Sequence, residues 1–89
     1  MEKDIYIVMA VDISEGSDYK PFCWAIEDNY TAALSKAKSY MEDEAAQWKL
    51  DPDKACDFDN LRVANKSGTK GVQLRIHNAA VKFSVKVSV

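Results

Sequence analysis

His77 is the single histidine of this 89-residue chain, and with Cys23 and Cys56 it is all the sequence offers for nucleophilic catalysis. A nucleophile needs a base within hydrogen-bond reach and a third group to orient that base. No spacing pairs His77 with either cysteine, and His77 falls on the outward parity of a strand pattern, where a histidine is ordinarily solvated. Carboxylates are plentiful, but two-carboxylate glycoside hydrolysis needs a cleft that so short a chain has little mass to build. A non-enzymatic protein is expected.

Metal chemistry fares no better. Asp51, Asp53, Asp57 and Asp59 superficially resemble a calcium loop, which requires oxygen ligands at positions 1, 3 and 5 and glycine at 6. Counted from Asp51, those last two positions are Ala55 and Cys56; counted from Asp57, position 5 is Leu61. Gly68 and Gly71 lack the strand–loop–helix context of a phosphate loop. No metal or cofactor is expected. Two cysteines this far apart make neither a disulfide framework nor a zinc knuckle, and read as reduced, mostly buried thiols, with a single bridge as the alternative.

Charge is the more informative property. The net charge is −2, but all fourteen acidic residues lie in residues 1–59, whereas Arg62, Lys66, Lys70, Arg75, Lys82 and Lys86 follow with no acid among them. Such a division either neutralises itself within the fold or leaves two charged faces, one of which meets a partner. An acidic strip of Glu42, Asp43, Glu44, Asp51, Asp53, Asp57 and Asp59 is set against only Lys49 and Lys54. Its helical acids lie toward the C-terminal end, against the preference of the helix dipole. A strip like this can occupy a basic groove in place of phosphate charge. Arg75, His77, Lys82 and Lys86 form the alternative, a basic sheet face for nucleic acid. RNA-binding sheets stack bases on aromatics, and here Tyr6 is the one candidate.

The elements that must position these residues follow from periodicity. Tyr30, Ala33, Leu34, Ala37, Tyr40, Met41, Ala45 and Trp48 recur every three or four residues, which predicts a helix over 30–50, about 30 Å long. Asp28 or Asn29 caps its start and Asp51-Pro52 ends it, with Pro52 opening a further short turn of helix. Before it, 4–13 and 22–27 read as strands joined by a turn-rich loop containing Gly16, Ser17 and Asp18. The first strand is apolar on both faces, the mark of a strand that is central in its sheet or covered on its second face. After the helix, 61–65, 72–77 and 81–89 read as strands. The inward parity changes from even at 72, 74 and 76 to odd from 81, so a tight hairpin is expected within Asn78-Ala79-Ala80. The order ββαβββ implies a single α+β domain over 1–89, an antiparallel sheet of four or five strands with one long helix on one face. Trp24, Leu34, Trp48 and Phe83 are the expected centre of the core. No run is apolar enough for a transmembrane span or a secretory signal, and a cytoplasmic protein is expected.

The run Trp24-Ala25-Ile26-Glu27-Asp28-Asn29-Tyr30-Thr31-Ala32-Ala33-Leu34-Ser35-Lys36-Ala37-Lys38, a strand ending in a capping pair followed by an alanine-spaced helix, resembles a pattern in small phage proteins. In size, layout and acidic character the chain is similar to anti-CRISPR proteins. That resemblance implies stoichiometric inhibition of a nucleic-acid-handling complex, with acidic residues on its basic channel. It covers about a quarter of the chain and transfers no residue roles.

Overall fold

The computed structural model describes residues 2–82. They form an α+β fold with strands β1 (Glu2–Asp12) and β2 (Pro21–Glu27), helices α1 (Tyr30–Gln47) and α2 (Pro52–Ala55), then strands β3 (Cys56–Asp57), β4 (Arg62–Ala64) and β5 (Gly71–Lys82). The strands make one antiparallel sheet in the order β2-β1-β5-β4-β3. α1 lies across one face of it.

β1 is an inner strand, one of the two arrangements that its apolar faces allow. Val8 and Ala10 are buried under α1, while Ile5, Ile7, Met9 and Val11 lie half-buried on the opposite face, which no described element covers. α1 approaches closely because its inner stripe is small. Ala33, Ala37, Met41 and Ala45, four residues apart, are all fully buried against Val8, Ala10, Val63, Val72 and Leu74. The expected core centre is therefore corrected. Trp24 is 47 % exposed, Leu34 and Trp48 are half-buried, and Phe83 lies outside the described residues. With alanines in the middle, the large rings can only wedge along the flanks of the helix.

β5 runs unbroken through Asn78, Ala79 and Ala80, so the expected hairpin is absent. These residues pair with Tyr6, Ile5 and Asp4 of β1, which satisfies backbone groups that a turn would have left to solvent. The segment also lacks a glycine to enter a tight turn. The parity change instead marks where α1 stops covering the strand: Asn78 and Ala80 are exposed, whereas Leu74 is buried. The sheet still has five strands because Cys56–Asp57 adds a short one that no alternation announced. The expected strand over 81–89 lies mostly outside the described residues.

α1 begins at Asn29, whose side-chain oxygen accepts from the Ala32 amide at 2.8 Å. It ends in a Schellman motif three residues earlier than the expected boundary. The Lys49 amide donates to the Ala46 carbonyl at 3.0 Å and the Leu50 amide to that of Ala45 at 2.8 Å, with Lys49 left-handed at φ 58. A side chain at that position is strained relative to glycine. Lys49→Gly is expected to raise stability by about 1 kcal/mol, read as a higher urea midpoint with an unchanged slope.

Candidate interaction site

Successive residues on α1 are turned by about 100°, so the run Glu42-Asp43-Glu44 is not one strip. Glu42 and Glu44 point down opposite flanks, and Asp43 stands on the exposed crest between them.

On the Glu42 flank the helix meets α2 and β3. The half-buried Cys56 thiol is pushed up by burial and then by the charges of Glu42 on α1 and Asp53 on α2. Lys38 on the same flank sits 5.9 Å from the centre of the Phe58 ring. Asp51 is occupied locally, since its carboxylate caps α2 by accepting from the Asp53 amide at 3.1 Å. Asp57 is occupied too. Its carboxylate accepts from the Asn60 side chain at 2.8 Å and from the Asn60 amide at 3.2 Å, contacts that hold it below its ordinary carboxylate range. Glu42, Asp43, Asp53 and Asp59 are exposed, and among the described residues the only ion pair within 4.0 Å is Lys20–Asp18, at 3.8 Å.

Asp57 and Asp59 reach the far edge of the sheet. There they line a shallow groove of about 720 Å³ with Arg62, Arg75 and His77. The acidic and basic halves of the chain therefore meet at this groove. Arg75 and His77 share the open sheet face, paired with Met9 and Ile7. In the unbroken β5, position 82 has the opposite parity to 75 and 77, and Lys86 lies outside the described residues. Of the expected basic face, the described side chains that share the open sheet face are Arg75 and His77, joined by Arg62. No Phe, Tyr or Trp lines the groove. Tyr6 is on the other face, edge-on to Tyr30 with ring centres 5.9 Å apart.

The Glu44 flank gathers residues that the sequence pattern did not bring together. A bulge at Val8/Met9 makes Trp24 the extra residue of β2 and turns its ring onto Tyr40, at 4.8 Å between centres; Phe22 approaches the same ring at 6.4 Å. Asp12, at the end of β1, faces this flank, its carboxyl held down by the Ser14 hydroxyl and by the Ser14 amide, which donates to it at 2.9 Å. Glu44 is pushed the other way. Burial raises it, the Tyr40 hydroxyl beside it pulls it down, and Asp12 and Asp43 raise it again. The bulge and the return of the loop after Asp12 create this grouping, and neither leaves a trace in spacing; the nearest sequence signal is the close succession of Phe22 and Trp24.

The raised Glu44 group has a definite consequence. Its folded state holds a proton more tightly than the unfolded chain does, so the ionised carboxylate opposes folding at neutral pH. That opposition disappears as pH falls through the raised value. Glu44→Gln is expected to be more stable than the parent at neutral pH, with the difference closing on acidification; urea midpoints across the carboxylate range measure it.

Cys23 is exposed, against expectation, and Cys56 is half-buried; both are free thiols. Among the described residues, no three His, Cys, Asp or Glu side chains are clustered closely enough to hold a metal ion, and no helix is long and apolar enough to cross a membrane. No protein family, no curated protein and no solved structure matches this chain.

Proposed function

We propose that the protein acts by binding, and that its acidic helix side engages a basic surface on a protein partner. The observation that carries this reading is the exposure of Glu42, Asp43 and Asp53 on the side of α1 and α2, with no cation within 4.0 Å of any of them among the described residues. Exposed carboxylates without internal partners are available to an encounter, and steer it over about 8 Å at physiological salt. By its resemblance to anti-CRISPR proteins, the partner is a cytoplasmic nucleic-acid-handling complex of a bacterial host, and the effect on it is inhibition.

The combined variant Glu42→Gln, Asp43→Asn, Asp53→Asn tests this. Immobilised parent protein is expected to retain a partner that elutes with rising salt, and the variant to lose it while unfolding at the same urea midpoint. Equal retention by both removes the reading. The nucleic-acid alternative rests on the groove of Arg62, Arg75 and His77. Asp57 and Asp59 share that groove and it has no stacking ring, so binding there would be weak. A low-salt mobility shift of RNA, abolished by Arg62→Glu and Arg75→Glu, would reverse the order of the two readings.

A further inference from the structure

On the flank of α1 away from Cys56, a cavity of about 450 Å³ opens between the β1–β2 loop, the helix and the β4–β5 loop. Its walls are Phe22, Tyr40 and Trp48, and the carboxylates of Asp12, Glu15 and Glu44 line it, with Lys70 at the exposed end. Trp24 braces the Tyr40 ring edge-on, so the aromatic wall is fixed in orientation. Phe22 keeps 43 % of its surface exposed. Among the described residues no lysine, arginine or histidine nitrogen comes within 4.0 Å of Asp12, Glu15 or Glu44, although Lys70 lines the same cavity.

Open aromatic faces beside carboxylates attract positive charge in two ways at once. The rings present negative faces to a cation, and the carboxylates accept its hydrogen bonds. A hard metal ion does not suit the place, because such ions want six or more oxygen ligands and half of this lining is carbon. A guanidinium suits it better than an ammonium. It is flat enough to lie against a ring, less strongly hydrated, and able to bridge two carboxylates with its fork of donors.

We propose that the cavity bounded by Phe22, Tyr40, Trp48, Asp12 and Glu44 receives an arginine side chain of the protein partner. This rests on the reading that the acidic helix side meets a basic protein surface, and adds the residue that anchors the contact. Glu44 takes the guanidinium donors and Asp12, already held by the Ser14 amide, adds its charge beside it, while the aromatic wall of Phe22 and Tyr40 receives the flat face of the group. Glu42, Asp43 and Asp53, across the helix crest, provide the longer-range attraction. An anchor in an aromatic pocket surrounded by steering charge is a common division of labour at interfaces.

The test uses a peptide of alternating arginine and glycine, its lysine counterpart, and its citrulline counterpart, which keeps the shape and loses the charge. Each is titrated into the full chain while amide and indole proton resonances are followed. Saturable shifts at the Trp48 indole and around Phe22, strongest for arginine and absent for citrulline, are expected. Glu44→Gln should weaken arginine binding about tenfold and Phe22→Ala about threefold, with well-dispersed spectra confirming that both variants fold; Asp12→Asn is the independent second charge variant. Binding of citrulline as tight as that of arginine overturns the proposal, as does binding unaffected by both Glu44→Gln and Asp12→Asn. Shifts confined to the neighbourhood of Glu42 and Asp53 overturn the pocket but leave the broader reading standing. No response at either face removes both.

Discussion

Met41→Ala is expected to lower the free energy of unfolding by about 2–5 kcal/mol. Met41 is fully buried and is the largest side chain on the inner stripe of α1, between Ala37 and Ala45. Its alanine neighbours cannot move in to fill the space, and the sheet beneath it, with Val8, Val63, Val72 and Leu74, is tied by strand pairing on both sides. A cavity is therefore left in addition to the lost transfer energy. Small domains are typically stable by about 5–15 kcal/mol, so the loss is a large share of what a chain of this length has, and cooperative urea unfolding should shift strongly or disappear. Trp48→Ala is the useful contrast. That ring is half-buried at the end of the helix, with solvent on one side, and its removal should cost less than Met41→Ala despite deleting more atoms. A larger loss at Trp48 than at Met41 would place the core at the helix flank.

That ordering reverses the one that residue size suggests, and the reason bears on what the sequence conveys. Period 3.6 identified the helix, its cap region and the buried positions Ala33, Ala37, Met41 and Ala45, but also turned Tyr30 inward, which is 52 % exposed, and period 2 identified β1 as an inner strand. Neither period states how closely two elements approach. The alanines at 33, 37 and 45 carry that information, and they were legible as helix formers before they were legible as the contact itself. β5 failed differently. A change of inward parity implies a turn only where one covering layer holds the same face inward along the whole strand. β5 outruns its covering helix, so past Ile76 no described helix on that side fixes the pattern. The acidic strip was legible as composition but not as a surface. Helical rotation separates Glu42 from Glu44, and local hydrogen bonds engage Asp51 and Asp57. The aromatic cavity was hidden because a bulge at Trp24 and a loop closing near Asp12 brought its parts together.

Ala37→Leu is expected to destabilise by about 1–3 kcal/mol, even though leucine is a better apolar residue in a helix of ordinary spacing. Ala37 is fully buried at the middle of the stripe, where its methyl group sets the distance between α1 and the sheet. Three further carbons have no room unless the helix lifts. Lifting it would loosen Met41 and Ala33 together, and would carry Tyr40 away from Trp24 and Phe22, whose contacts at 4.8 and 6.4 Å between ring centres depend on the present separation. Two readouts should therefore move together: the urea midpoint falls, and the tryptophan fluorescence shifts toward that of a more hydrated indole. Ala46→Leu, one residue before the end of the same helix but on its exposed side, supplies the control and should be close to neutral. If Ala37→Leu proved as stable as the parent with unchanged fluorescence, the helix would not be seated on its alanines. The arginine pocket built on that seating would then lose its rigid wall.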